Sequence, residues 1–221
     1  MNEFNLTTDQ QNVLHMAGLD MRSRPRGNNM MAAVDGYAGV GKSSMIPNII
    51  QQSTFTNSII MAPTNKAVGV IKSKLSGHGL ENCSYATLHS IIYGKPSTEG
   101  TWIPKYETID NNLIIVDESS MVTDQVYNDL LKRIRDSYIL FIGDSFQLEP
   151  VGSPCPIFDL PTVKMTQVVR HDNGILNTAN NLRVVQNATV ALNDDVVLID
   201  KNLSIRQFAE DIYRGKDAVM I

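Results

Sequence analysis

Between residues 30 and 150, short apolar runs alternate with longer segments in which apolar positions recur at helical spacing, the pattern of β–α units laid on a parallel sheet. Met30–Asp35, Ser58–Ala62, Leu113–Asp117 and Tyr138–Ile142 are the predicted strands, each β-branched or apolar and each stopped by Gly, Pro, Asp or a similar residue. Helices are predicted over Thr7–Ala17, Lys42–Gln51, Asn65–Leu75 and Asp124–Ile134; Val126, Leu130 and Ile134 mark the repeat in the last of these. The segment 93–110 leaves this rhythm. Gly94, Pro96, Gly100 and Pro104 give it turn chemistry, and it holds the only tryptophan, Trp102, which suits either a packing anchor or a contact to a partner. After Pro150 the prolines at 154, 156 and 161 crowd a short connection. Helices are expected near Asn173–Gln186 and Ser204–Arg214, and the apolar end Ala218–Ile221 has the character of a strand. The expected organisation is an α/β domain over 1–155, followed by the start of a second α/β domain over 156–221.

Composition narrows the class. With 43% hydrophobic and 19% charged residues in 221, the chain can bury a core, which excludes disordered and collagen-like proteins. Its longest apolar stretches, Leu113–Val116 and Tyr138–Ile142, fall far short of the roughly 20 residues that cross a bilayer. No membrane association is expected. The start Met1-Asn2-Glu3-Phe4-Asn5 lacks a basic stretch and apolar core, so a cytoplasmic protein is expected, in the host cytoplasm if a phage encodes it. Cys83 and Cys155 have no metal-type spacing and read as reduced thiols. A net charge of −4 argues against indiscriminate coating of nucleic acid while leaving room for a local basic groove.

Chemistry enters at Gly36-Tyr37-Ala38-Gly39-Val40-Gly41-Lys42-Ser43, a full G-x-x-x-x-G-K-[ST] placed after an apolar strand and opening a helix. The glycines let successive backbone N–H groups face inward, and phosphate is the natural ligand. Gly36, Gly39, Val40, Gly41, Lys42, Ser43 and Ser44 are therefore the candidate ATP contacts. Lys42 supplies a point charge for the β- and γ-phosphates, and the Ser43 hydroxyl is placed for Mg²⁺. The apolar strand ending in Asp117-Glu118 delivers two carboxylates with divided work. Asp117 serves Mg²⁺ through its coordinated water, and Glu118 polarises the attacking water as general base. A third element, Gly143-Asp144-Ser145-Phe146-Gln147-Leu148-Glu149-Pro150-Val151, follows the next strand and offers Gln147 as an uncharged sensor of the γ-phosphate.

In this order the motifs resemble those of superfamily 1 DNA helicases, in particular the RecD/Dda type of phages and bacteria, over Leu6–Ile221. Leu6-Thr7-Thr8-Asp9-Gln10 is similar to the segment whose Gln reads adenine, which implies Gln10 as the adenine contact. Gly36–Ser43 resembles motif I, Ala62-Pro63-Thr64-Asn65-Lys66-Ala67 motif Ia, Asp117-Glu118 motif II and Gly143–Val151 motif III. Tyr85-Ala86-Thr87-Leu88-His89-Ser90 is similar to the Thr-x-His segment on the DNA side of the first motor domain. Thr166-Gln167-Val168-Val169-Arg170 resembles motif IV, which implies Arg170 as an arginine finger. The resemblance implies a RecA-like P-loop fold, a partial second motor domain, and a 5′→3′ translocase acting on single-stranded DNA as a monomer, alongside replication or repair proteins.

The implied DNA track is Pro63, Thr64, Asn65, Lys66, Thr87 and His89, with the segment 93–110 in the position of a strand-separating pin whose wedge is Trp102 and Tyr106. A hydroxyl, an amide and a charge at Thr64, Asn65 and Lys66 suit phosphate oxygens on their own terms. Lys72, Lys74 and the run Arg22, Arg24, Arg26 either add positive field or form solvated faces. Two other readings share the loop and carboxylates: a DNA-independent P-loop ATPase that remodels a protein, and a truncated ATP-binding interaction module. Lack of stimulation by single-stranded DNA marks the first, and hydrolysis too slow to act marks the second.

Overall fold

In the computed structural model, which describes residues 6–23, 27–96, 98, 101–147, 156–167, 196–199 and 217–220, the chain runs α1 (Thr8–Ser23), β1 (Met30–Gly36), a 3-10 turn at Ser43–Met45, α2 (Ile46–Gln51), β2 (Asn57–Ala62), α3 (Asn65–Leu75), β3 (Cys83–Thr87) and α4 (Leu88–Ile92). It continues through β4 (Tyr93–Pro96), β5 (Trp102–Pro104), β6 (Ile109–Asp110), β7 (Asn112–Val116), a 3-10 turn at Ser119–Met121, α5 (Asp124–Arg133), β8 (Ile134–Arg135), β9 (Tyr138–Gly143), a 3-10 turn at Pro156–Asp159 and β10 (Thr162–Met165). The last described elements are β11 (Val196–Ile199) and β12 (Asp217–Met220).

Six strands form one parallel sheet in the order β10-β1-β9-β7-β2-β3. Alternation along each central strand sends successive side chains to opposite faces. Ala32, Val34, Ile60, Leu113, Ile115, Leu140 and Ile142 pack with α1, α2 and α3. Ala33, Met61, Ile114, Val116, Ile139 and Phe141 pack with α4 and α5. Because both faces are covered, the strands are nearly continuous apolar runs, the signature of a buried parallel sheet. The RecA-like arrangement expected from the sequence is the one observed.

Three helices start on threonine, whose hydroxyl takes an otherwise orphaned backbone N–H: Thr64 from Ala67 (3.1 Å), Thr87 from Ser90 (3.2 Å) and Thr123 from Val126 (3.3 Å). α5 ends in Arg133, which is buried and donates from Nε to Glu107 O at 2.7 Å and from Nη1 to Ile91 O. One side chain thereby ties down both ends of the segment containing the antiparallel pair β4–β5.

Four expectations are corrected. The segment Lys42–Gln51 is not one α-helix: Ser43–Met45 is a 3-10 turn and the α-helix begins only at Ile46, with Pro47 in its first turn, where a missing N–H costs least. Strands β3 and β10 were not anticipated. Both lie at sheet edges with half-exposed side chains, so the apolar runs that betray the central strands are absent. The first unit also does not close at 155: β10 pairs with β1 from Ala33↔Thr162 to Gly36↔Met165, and the compact unit runs through Val168. Ile134, expected to end the helix, begins β8 and pairs with Ile109.

The second compact unit is Val169–Ile221, in which β11 and β12 pair in parallel from Val196↔Asp217 to Ile199↔Met220. The strand expected at the apolar end is therefore present and has a partner, while the helices expected near 173–186 and 204–214 lie outside the described residues. No helix among the described residues is long and apolar enough to cross a membrane.

Candidate functional site

The C-terminal ends of β1, β7 and β9 converge on one edge of the sheet, where open α/β sheets carry their ligands. β1 ends at Gly36, and a Cβ there would stand 2.9 Å from Met165 Cβ and 3.0 Å from both Met165 O and Val40 Cγ2. Only glycine fits between the loop and β10. Gly39 and Gly41 turn the chain with φ of 85° and 80°, left-handed values that a side chain disfavours. Val40 between them is buried in the core and anchors the loop, leaving it backbone alone to offer a ligand. Ser44 Oγ donates to Gly41 O at 2.7 Å and closes the turn.

Lys42 Nζ donates to the carbonyls of Gly36 and Tyr37, the latter at 2.9 Å, so the ammonium rests on its own loop. Burial pushes its pKa down, opposed by the negative charges of Asp144, Glu118, Asp117 and Asp35. The four carboxylates define the cation-hungry side of the site.

Asp117 extends β7 by donating its N–H to Met61 O at 2.8 Å, and its Oδ2 accepts from Ser43 Oγ at 3.4 Å. Burial, then the neighbouring Glu118, raises its pKa. A hydroxyl and a buried carboxylate side by side are hard oxygen donors, and they fit Mg²⁺. Glu118 takes the left-handed conformation (φ 54°, ψ 40°) at the head of the Ser119–Met121 turn. For a residue with a side chain this costs about 1–2 kcal/mol, a strain typical of functional positions.

The chain leaving β9 packs against that turn. A Cβ on Gly143 would lie 2.6 Å from Ser119 Oγ and 3.0 Å from Ser120 N, so glycine is required here by close approach alone. Asp144 is fully buried, and its Oδ1 accepts from Phe146 N–H at 3.1 Å. Gln147 is held twice, its N–H donating to Asp144 O (3.0 Å) and its Oε1 accepting from Ser120 Oγ (3.1 Å). Gln147 is thus joined to the turn that follows Glu118.

Five participants escape sequence reasoning. Asp35, just before Gly36, accepts from Ser145 N–H at 2.8 Å on one oxygen and from Ser145 Oγ at 2.7 Å on the other. Ser120 carries Gln147. The Tyr37 ring meets Phe146 edge-on at 5.8 Å. Their partners lie 27 to 110 residues away in sequence, and the only local signal was an acid ending an apolar strand.

Gln10 is buried, only 4% exposed, and engaged with its own helix start: Thr7 N–H donates to Gln10 Oε1 (3.0 Å) and Gln10 N–H to Thr7 Oγ1 (3.2 Å), a reciprocal cap. Beside it, Asp9 Oδ2 accepts from Thr166 N–H (2.7 Å), Thr166 Oγ1 (3.3 Å) and Gln167 N–H (3.0 Å), which holds its pKa below the ordinary value, chiefly through the Thr166 bond. Arg170, and Leu148 to Val151 of the third motif, lie outside the described residues.

Pro63, Thr64, Asn65 and Lys66 follow β2, and Thr87 ends β3 with His89 just after it, at the same sheet edge. Thr64 and Thr87 accept backbone N–H groups as helix caps, and each keeps its own hydroxyl proton to donate. His89 packs against Tyr93 (5.5 Å between centroids) and Trp102 (6.3 Å). These rings border a cavity of about 580 Å³ that reaches Pro63, Met121 and Asp129. Tyr93 donates to Asp129 Oδ2 at 2.8 Å; burial, then this carboxylate, pushes its hydroxyl up to about 12 and keeps it protonated. Lys72 Nζ stands 6.0 Å over the Tyr85 ring, Arg22 ends α1, and Arg24 and Arg26 are outside the described residues.

A phosphate loop, an Asp-Glu pair and a glutamine stand on one edge of a six-stranded parallel sheet flanked by helices, the fold of a RecA-like P-loop domain. Residues 21–200 match the AAA_30 family, described as an AAA domain, and the chain belongs to that family. It is 32% identical over 162 residues to an uncharacterized protein of Methanocaldococcus jannaschii, covering 64% of this chain and 13% of that one. It is 31% identical over 140 residues to an uncharacterized protein of Acanthamoeba polyphaga mimivirus, covering 53% and 28%.

Among solved structures the fold is similar to the Bacteroides Pif1 helicase bound to ADP-AlF3 and single-stranded DNA (TM-score 0.54, 18% identity, 95% of this chain and 56% of that one). It is similar too to an arterivirus helicase, nonstructural protein 10, with DNA (TM-score 0.52, 14% identity, 88% and 48%). The chain spans about half the length of these helicases and less of the curated relatives it matches.

Proposed function

We propose that this chain is the ATP-hydrolysing part of a DNA helicase motor: it binds Mg·ATP at Gly36–Ser44 and Asp117-Glu118 and single-stranded DNA along Pro63–Lys66, Thr87 and His89. The observation that carries the reading is the convergence of Lys42, Ser43, Asp117 and Glu118 at one sheet edge, with Gln147 bonded to Ser120 beside them. Its support in the comparisons is membership of the AAA-domain family and the fold shared with helicases solved with nucleotide and DNA.

In this reading Lys42 exchanges the carbonyls of Gly36 and Tyr37 for phosphate oxygens, a move that costs little because both sets are acceptors. Ser43 and Asp117 are the residues that would hold Mg²⁺, which when bound neutralises charge on the β- and γ-phosphates. Glu118 accepts a proton from the attacking water. Gln147 senses the γ-phosphate and passes its state through Ser120 to the turn after Glu118, and Arg170 acts as the arginine finger. Gln10 contacts adenine from its capped position. The 5′→3′ polarity, the monomeric state, action with replication or repair proteins, a cytoplasmic location and a second motor domain after residue 168 belong to the same proposal.

Steady-state ATPase with and without oligo-dT tests it. Turnover stimulated by DNA and lost in Lys42→Ala is expected. A Lys42→Ala protein with wild-type turnover refutes the nucleotide site, and turnover and anisotropy indifferent to DNA favour the protein-remodelling ATPase.

A further inference from the structure

The cavity at the foot of the β4–β5 hairpin combines exposed aromatic area with a buried charge. His89, Tyr93 and Trp102 stand 5.5–6.3 Å from one another, and Trp102, on an otherwise exposed strand, keeps 51% of its surface open. Pro63 and Met121 complete an apolar border, and Met121 too is half open. Asp129 also lines the cavity with only 8% of its surface left. Its carboxylate accepts from Tyr93 Oη on Oδ2 and from Lys132 Nζ on Oδ1, both at 2.8 Å. A carboxylate has about four lone-pair sites, so two acceptor positions remain.

We infer that this cavity is a subsite for one unstacked nucleobase of the DNA strand, held against Trp102 and His89, and that Asp129 makes it favour bases carrying an exocyclic amino group over thymine. The inference rests on the single-stranded DNA reading proposed above and adds to it a base-reading element. About 580 Å³ accommodates a planar base with room to spare. Flat aromatic faces give stacking energy to any base, which alone would leave the site blind to sequence. The carboxylate changes that. Cytosine N4 and adenine N6 donate hydrogen bonds, whereas thymine offers O4 and its methyl in the same position, and a carboxylate repels O4. Arg133 and Lys105 fix the cavity wall: Arg133 bonds to Ile91 O and Glu107 O, Lys105 N–H donates to Ile92 O at 2.9 Å, and Lys105 Nζ to Ser90 O at 2.7 Å. The wall is therefore built before any strand arrives, which lowers the ordering cost of binding.

Because Trp102 is the only tryptophan, its fluorescence reports this cavity alone. The full chain is titrated with 5′-labelled oligo-dC, oligo-dT and an oligomer of abasic sites, reading label anisotropy and Trp102 emission together. The expected result is binding of all three, a change in Trp102 emission with the two base-bearing strands only, and affinity for oligo-dC about 10- to 150-fold above oligo-dT, the worth of one charge-assisted hydrogen bond. Asp129→Asn, which presents a donor as well, abolishes the dC preference. Binding of all three strands with unchanged Trp102 emission overturns the subsite. Equal affinity for dC and dT in the wild type overturns the role of Asp129. No binding of any strand overturns the underlying DNA reading instead, so the two failures are told apart.

Discussion

Asp35→Ala tests whether the loop after β9 is positioned by the strand that carries the phosphate loop. Asp35 is 7% exposed and receives two hydrogen bonds from Ser145, at 2.8 and 2.7 Å. A bond to a charged acceptor contributes about 1.5–3 kcal/mol, and two bonds within one pair of residues are not additive, so their joint loss is expected to cost about 2–4 kcal/mol. The cost falls on the segment Asp144–Gln147, which then loses its hold on β1 while keeping Ser120 Oγ on Gln147. Removing a carboxylate next to a phosphate loop also relieves repulsion of the ligand.

The two effects separate in kinetics. In Asp35→Ala, kcat for ATP falls at least tenfold, because the Asp144–Gln147 segment is no longer anchored to β1, while KM stays level or drops. Ser145→Ala leaves the backbone N–H of residue 145 on Asp35 Oδ1 and costs about half as much, about 1–2 kcal/mol. Urea denaturation and steady-state ATPase on the three proteins supply the numbers. Asp35→Ala with wild-type stability and kcat would refute the reasoning outright; a raised KM at constant kcat would place Asp35 in ligand binding and not in loop positioning.

Two further outcomes are expected. Glu118→Gly relieves the left-handed strain at φ 54° and should raise unfolding free energy by about 1 kcal/mol while lowering ATP turnover by about 10²–10⁴-fold, read by thermal melts and phosphate release; a variant neither more stable nor less active contradicts both assignments. The Asp9 carboxyl has a folded pKa below its ordinary 3.8, so its bonds to Thr166 and Gln167 stabilise the fold fully above that value and are lost as pH falls through the lower, folded pKa. Asp9→Asn should flatten that part of the acid limb in melting temperatures measured from neutral pH downward, by a small amount because Asp9 is largely solvated.

How much of this was legible in the chain depends on the range of the interactions. Gly36–Ser43, Asp117-Glu118 and the four central strands were readable because each is a contiguous pattern: the loop needs its glycines within a few residues, and a strand covered on both faces must be continuously apolar. The edge strands β3 and β10 carry half-exposed side chains and no such pattern. The end of the first unit was misplaced for the same reason, since only the pairing of Thr162–Met165 with Ala33–Gly36 assigns that stretch to the first sheet. At the phosphate loop, Lys42 opens a 3-10 turn and not an α-helix, a difference of hydrogen-bond register that apolar spacing does not encode.

The sequence by itself determined the chemistry on offer, a phosphate loop, a carboxylate pair, a glutamine and an aromatic segment around Trp102, together with an alternation that admits little besides an α/β sheet. Only the tertiary structure decided how these parts are joined: Asp35 to Ser145, Gln147 to Ser120, Arg133 to both ends of the hairpin, Asp9 to Thr166. The physical reason is that a parallel sheet places residues about a hundred positions apart side by side at one edge. The hydrogen bonds made there depend on distances of a few ångströms that no local pattern of residues records.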